Sequence, residues 1–276
     1  MRRQDGWVSL PPGVLQRDEG RHLFGLDPSG YEAGRPDYPS FVYDDLRGRC
    51  GLAPGAQVLE VGAGTGVVTR HLLSAGARVV AVEPDPSLAS YLSDAHQIDD
   101  LEIIGATLEA AELDHGRFDL AVAATSFHWV DQQQGLQKLS HSVRPGGWIA
   151  LWWTLFRDPN QPDAFSTAVE ELLGPATRGA FDEPERPPFQ LDDEHRRRDL
   201  AVWAQAQDVQ SRIVSWTCVL TPPQARALYA SMATVIRRPP SDQQALLDQI
   251  EILASETFGG RVERNFVTAF YTGRCP

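Results

Sequence analysis

Apolar residues follow two alternating rhythms between about residue 56 and residue 154. Gln57-Val58-Leu59-Glu60-Val61 is a short β-branched run, after which Val68, Leu72 and Leu73 recur at helical spacing until Gly76, placed as a C′ glycine, stops the turn. Residues 78–82 repeat the strand pattern and end on Glu83-Pro84-Asp85. Pro86 then suits the first turn of a helix running toward His96. Residues 101–104 and 118–124 read as a third and a fourth strand. Asp131 and Gln134 have the spacing of a capping box, opening a helix with Leu136, Leu139 and Val143 on one face. Pro145-Gly146-Gly147 closes it, and residues 148–153 make a fifth strand. Strands that alternate with helices and are apolar nearly throughout predict an α/β fold with a parallel sheet covered on both faces.

The rhythm breaks after Trp153. Residues from about 157 to 205 are rich in Pro, Asp, Glu and Arg, with one helical stretch over 165–173. That is too long for an ordinary connection and predicts a lid or substrate-recognition insertion. A strand pattern returns over 211–220, helices are expected after Pro222-Pro223 and over 243–258, and 264–272 reads as a last strand. Residues 1 to about 20 carry no periodicity and are expected to be loose.

Composition narrows the classes. The chain has 276 residues, 42% of them hydrophobic, enough for one large core with an accessory region. No apolar run approaches the roughly 20 residues that cross a bilayer. Met1-Arg2-Arg3 has no apolar stretch behind it, so a cytoplasmic protein is expected. Cys50, Cys218 and Cys275 lie far apart without a CxxC pair, which argues against a disulfide framework and a zinc site; no metal is expected. A formal charge of −12 opposes nucleic acid as a partner. The basic cluster Arg196-Arg197-Arg198, behind Asp192-Asp193-Glu194, reads as a solvated helix face.

The chemistry concentrates in Glu60-Val61-Gly62-Ala63-Gly64-Thr65-Gly66, between a strand and a helix. Ligands of open α/β sheets bind at such carboxyl ends of strands, where glycines let them press against the backbone. The dinucleotide fingerprint GxGxxG would need glycine at 67, where Val67 stands, and a phosphate-cradling GxxxxGK loop would need a lysine. Glu83, at the end of the second strand, is placed to accept hydrogen bonds from both hydroxyls of a ribose. Together these favour an adenosine-containing ligand without a pyrophosphate.

Residues 58–66 resemble the first motif of class I S-adenosylmethionine (SAM)-dependent methyltransferases. Val82-Glu83-Pro84-Asp85 resembles their second-strand acid, Phe118-Asp119-Leu120 their fourth strand, and Arg144-Pro145-Gly146-Gly147-Trp148 the turn before their fifth. Phe24-Gly25, Tyr31 and Arg35-Pro36-Asp37-Tyr38-Pro39, with Phe127-His128-Trp129-Val130-Asp131, resemble a bacterial and fungal subgroup that methylates small metabolites (methyltransferase type 11-like). The likeness covers about residues 24 to 154. It implies a Rossmann-like sheet of seven strands, mostly parallel with the last strand antiparallel, and SAM as cofactor, leaving S-adenosylhomocysteine as product. In these terms the chain divides into a cofactor-covering arm over 1–35, a SAM-binding core over 36–155, the insertion over 156–206 and the C-terminal part of the sheet over 207–276.

The same resemblance implies roles. Glu60 and the loop glycines Gly62, Gly64 and Gly66 would hold the methionine portion, and Glu83 the ribose. Pro84 or Asp85 would flank the adenine, with Thr107 and Leu108 edging it; the family often has Asp where Thr107 stands. Ala124 and Thr125 would lie near the amino-acid end, with Tyr31 and Arg35 closing over it. His128, after the fourth strand, is the candidate general base for removing a proton from the acceptor. Tyr38, Phe127, Trp129, Trp153 and Phe156 are candidates for lining an apolar acceptor pocket. Asp131 is read as a helix cap.

The acceptor is expected to be a small molecule attacked in line through O, N, S or C. The alternatives are a non-catalytic SAM-binding scaffold or partner-binding module, and, with less support, a protein or nucleic acid methyltransferase. After the fourth strand, Ala124-Thr125-Ser126-Phe127 replaces the Asp/Asn-Pro-Pro-aromatic segment of base-flipping methyltransferases. Nothing in the sequence determines the oligomeric state.

Overall fold

The computed structural model describes residues 17–96, 98–174 and 186–276. Most of the expected loose arm (1–16) and the middle of the expected insertion (175–185) lie outside the described residues.

Seven strands form one sheet: β1 (Gln57–Val61), β2 (Arg78–Val82), β3 (Leu101–Ile104), β4 (Phe118–Ala124), β5 (Val143–Leu155), β6 (Gln207–Leu220) and β7 (Val262–Arg274). Their spatial order is β3-β2-β1-β4-β5-β7-β6. The first five are parallel, and β7 runs antiparallel to β5 and β6. The expected sheet is therefore present, its last strand antiparallel. β5 starts five residues before the predicted strand, because Val143 already pairs with Phe118 and a register shift absorbs the Pro-Gly-Gly turn.

The parallel strands are buried nearly end to end, as their apolar runs require. Helices α4 (Thr69–Ser74), α5 (Pro86–Ala95) and α6 (Gln132–Ser142) connect them. Asp131 caps α6, its Oδ1 accepting from the Gln134 amide at 3.0 Å. The strand order reverses between β1 and β4, so the crevice above β1, β2 and β4 is the ligand edge that this topology provides.

Two helices stand in the stretch read as an insertion. α7 (Ala164–Leu173) packs against β7, while α8 (Asp193–Trp203) packs on α6, β6 and β7 and buries Leu200 completely. Its latter part is thus an ordinary helix layer of the core rather than a lid. Arg196 departs from the solvated face expected of it: its guanidinium lies 3.6 Å over the Phe189 ring and pairs with Asp199, while Arg197 and Arg198 are exposed.

Between β6 and β7 come α9 (Pro222–Ala230), α10 (Ala233–Ile236) and α11 (Pro240–Ile252), the last ending in a π turn over Leu253–Thr257. They carry a core of their own around Phe165, Leu228, Tyr229 and Phe266. N-terminally, α1 (Arg17–Leu23) and α2 (Pro28–Gly34) precede α3 (Ser40–Gly48), and α2 packs on α9. Among the described residues no helix is long and apolar enough to cross a membrane.

Candidate active site: a cleft over the glycine loop

The chain turns sharply after β1. Gly62 and Gly64 have φ of +70° and +59°, which favours glycine, and a Cβ at Gly62 would stand 2.5 Å from that of Ser126. Ser126 Oγ in turn donates to the Val61 carbonyl at 2.5 Å, tying the loops after β1 and β4 together. Gly64 faces open space, and its amide donates to Glu83 Oε2 at 2.8 Å. Glu83 Oε1 accepts from the Asp85 amide at 3.0 Å.

Two cavities meet over this loop. One, about 670 Å³ with its open mouth, is bordered by Gly62, Gly64, Glu83, Pro84, Leu88, Thr107, Leu108, Glu109, Ala124, Thr125 and Trp129, and by Gly20, Arg21, Phe24 and Tyr31 from the N-terminal helices. The other, about 540 Å³, is bordered by Glu60, Thr65, Arg35, Pro36, Tyr38, Ala124, Thr125 and Phe156. Tyr31, Gly62, Gly64, Ala124 and Thr125 are common to both. Most of the expected residues are therefore brought together, along one crevice with two ends.

The electrostatics of the two ends differ. Burial pushes Glu83 up to about 7, against the lowering effect of its two backbone hydrogen bonds. Burial pushes Glu60 up to about 8, although Thr69 donates to its Oε2 at 2.7 Å. At the Glu60 end, Arg35 Nε and Thr65 Oγ1 are buried without hydrogen-bond partners, a demand for an acceptor such as a carboxylate. Arg35 is held by the Ser231 carbonyl at 2.7 Å and lies over the rings of Phe156 (4.5 Å) and Tyr31 (5.0 Å).

Thr125 sits at φ +50°, a conformation that costs a β-branched residue of order 1–3 kcal/mol and clusters at functional sites. It is held there by its amide on the Trp152 carbonyl (2.7 Å) and by its hydroxyl, which accepts from Tyr38 at 3.1 Å and from the Thr154 amide at 3.3 Å.

Five expected positions fall outside the cleft. His128 borders neither cavity. Trp153 Nε1, which can only donate, lies 3.1 Å from its Nδ1, so the neutral ring carries its proton on Nε2 and has no nitrogen left to act as a base. Some of the ring still meets solvent, yet the packing around it pulls the imidazole down to about 3, so it stays neutral. Phe127 and Trp153 are fully buried in the core. Side chains alternate along a strand, and it is Trp152 that turns toward Tyr38, at 5.7 Å, while Trp153 packs on Phe189 and Tyr271. Gly66 is a packing position: a Cβ there would stand 2.6 Å from Leu92. Asp85 caps α5 through the Ser87 and Leu88 amides at 2.8 and 3.1 Å. Pro84 and Leu88 replace it as the cleft wall.

Arg21 and Glu109 escaped sequence reasoning, and Phe24 and Ser126 stood in quoted motifs without being given a site role. Arg21 and Glu109 meet through contacts between distant segments, for which no local spacing exists. Thr65 stood inside the glycine motif but was given no role there.

A doubly wound sheet with a glycine loop and a buried acid at the end of β2, but no pyrophosphate loop, defines an adenosyl-cofactor protein. The chain matches the methyltransferase domain family over residues 59–151. It is 31% identical over 230 residues to an uncharacterized methyltransferase of Mycobacterium bovis, covering 83% of this chain and 84% of that one. A protein of Anaeromyxobacter dehalogenans assigned as a type II methyltransferase shares the fold with a TM-score of 0.60 at 20% identity, covering 87% of this chain and 98% of that one. Phosphoethanolamine N-methyltransferase 2 of Haemonchus contortus, solved with S-adenosyl-L-methionine, gives 0.57 at 11% identity, covering 97% of this chain and 61% of that one. The chain belongs to the class I SAM-dependent methyltransferases, and SAM is its cofactor.

Proposed function

We propose that this methyltransferase acts on a small molecule, held beside Tyr31, Tyr38 and Phe156 with the cofactor laid across the glycine loop. The observation that carries the reading is the roof: α1, α2 and the residues that flank them place Arg21, Phe24 and Tyr31 over one cavity, and Tyr31, Arg35 and Pro36 over the other. A metabolite fits behind such a cover. A nucleic acid strand or a folded protein surface would first have to displace two helices, and a charge of −12 repels the strand.

In this reading Glu83 accepts from the ribose hydroxyls, while Pro84 and Leu108 flank the adenine, with Thr107 at its edge. Glu60 faces the α-ammonium, the Gly62 and Gly64 backbone lies along the methionine, and Arg35 Nε with Thr65 Oγ1 takes the carboxylate. Ala124 and Thr125 form the floor beneath. Trp129 closes the side of the nucleoside end. The bound cofactor supplies a methyl group already activated on a sulfonium. With His128 turned away and the Tyr38 hydroxyl donating to Thr125, catalysis rests on holding the acceptor in line and excluding water, which supplies roughly 7–11 kcal/mol in favourable cases.

The test incubates the protein with methyl-labelled SAM and, separately, with metabolite, nucleic acid and protein fractions. Label in the metabolite fraction alone is the expected result. Label confined to nucleic acid or protein overturns the proposal. Tight S-adenosylhomocysteine binding with no transfer to any fraction would mark a scaffold instead.

A further inference from the structure

We infer that the Thr125 hydroxyl donates a hydrogen bond to the reacting oxygen of the methyl acceptor, and so commits the site to acceptors that arrive with an anionic oxygen; this rests on the cofactor site proposed above. Thr125 borders both cavities, so it stands where the cofactor's place and the acceptor's place meet. Its hydroxyl oxygen can accept twice, and both sites are filled, by the Tyr38 hydroxyl at 3.1 Å and the Thr154 amide at 3.3 Å. Tyr38 and Thr125 thus share one bond, which uses one of their two protons. The proton left over, that of Thr125, has no acceptor among the described residues.

The hydroxyl is held in place. Its residue is pinned at φ +50° by the Trp152 carbonyl, and such a conformation persists only where the surroundings over-determine it. The support runs on through the sheet: Thr154 Oγ1 lies 2.8 Å from Thr268 Oγ1, which accepts from Trp216 Nε1 at 2.9 Å. A donor fixed in this way loses little freedom when it takes a ligand.

In the proposed site the cofactor has no use for this proton. Its carboxylate goes to Arg35 Nε and Thr65 Oγ1, its α-ammonium and ribose hydroxyls donate to acids, and its sulfonium is a cation. The methyl acceptor is what remains. An amine would lose its attacking lone pair to the hydroxyl, whereas an oxygen anion has lone pairs to spare. No proton has to leave such an oxygen. That suits a site where His128 is turned away, Glu60 faces the α-ammonium and burial holds the Tyr38 phenol protonated. The anionic oxygen forms its bond to the methyl carbon as the carbon–sulfur bond breaks, and the pair of that bond stays with sulfur. The negative charge on oxygen and the positive charge on sulfur are both extinguished.

Calorimetric titration of benzoate and of aniline into the full-length protein saturated with S-adenosylhomocysteine tests this. The two probes offer the same aromatic walls an oxygen anion and a neutral nitrogen. Benzoate should bind, and Thr125→Val, which keeps the shape and loses the donor, should weaken it by about tenfold or more. Thr125→Ser should keep benzoate within about threefold of the unmodified protein, and aniline should respond to neither substitution by more than that. Benzoate that fails to bind the unmodified complex, binds Thr125→Val equally well, or weakens no more than aniline overturns the inference and leaves the metabolite reading to the labelling experiment. A matching loss of S-adenosylhomocysteine affinity in Thr125→Val overturns it too, because the hydroxyl then serves the cofactor. Failure of the unmodified protein to bind S-adenosylhomocysteine brings down the cofactor site and the inference with it.

Discussion

At the scale of the residue, the site depends on carboxylates kept out of water. Glu60 and Glu83 both lie above the ordinary 4.5, at about 8 and about 7, with burial the main cause. A carboxyl whose folded pKa is raised adds stability while protonated, and that contribution is lost as pH climbs through the folded value. The free protein should therefore gain stability from these groups as pH falls from about 8 toward about 4.5. Cofactor binding runs the other way, because an α-ammonium and ribose hydroxyls favour ionised acids. Titrations of S-adenosylhomocysteine in two buffers of different ionisation enthalpy should show proton release and an affinity that drops with falling pH. Proton uptake would contradict the assignment. Glu83→Ala should weaken binding by about tenfold or more through its lost charge-assisted bonds.

At the scale of the element, the roof lies flat because small residues line its underside. A Cβ at Gly34 of α2 would stand 2.2 Å from the Ala227 carbonyl oxygen in α9, and backbone cannot swing aside as a side chain can. Gly34→Ala should cost about 1–3 kcal/mol of docking and raise the dissociation constant for S-adenosylhomocysteine by about tenfold, leaving far-ultraviolet circular dichroism unchanged. Gly48→Ala, where a Cβ meets open space, is the control and should leave binding unaltered. Equal behaviour of the two variants would show that α2 does not press on α9 in solution. The glycine loop announced itself by spacing; Gly34 did not, since its meaning depends on a helix almost two hundred residues further on.

At the scale of the whole molecule, one buried ion pair joins the layers. Arg264 on β7 bonds Asp163 Oδ2 at 3.2 Å and the Phe156 carbonyl at 2.7 Å, with almost no exposure of either charged side chain. Asp163 also caps α7 and accepts from the Asn265 amide. The pair thereby fixes the place where β5 leaves the sheet and Phe156 enters the cleft. Removing one partner of a buried pair leaves the other uncompensated, so Arg264→Ala should cost about 3–5 kcal/mol and lower the melting temperature by about 6 °C or more. An unchanged melting curve would mean that Asp163 finds another partner. In the sequence Arg264 was only the first residue of a predicted strand.

Read alone, the sequence determined what short-range physics determines. Alternating periods placed β1 to β5 and their helices within a few residues, because strand and helix patterns repeat over a handful of positions. The run from Glu60 to Gly66 and the acid Glu83 favoured an adenosine-containing ligand, since loop and ligand chemistry are local to strand ends, and SAM followed from their resemblance to the methyltransferase motifs. Tertiary structure alone decided which face each aromatic takes and what covers the site. Trp152 and Trp153 differ by one position and point to opposite sides of β5, both fully buried, so a slip of one residue exchanges the core that packs on Tyr38 with the core that packs on Phe189. His128 stood at the right edge but was turned onto the Trp153 indole, which no spacing reveals. Arg21 reaches Glu109 across 88 positions, and Arg35 reaches Ser231 across 196. Such bonds depend on the packing of whole layers, and packing is not written in any window of the chain.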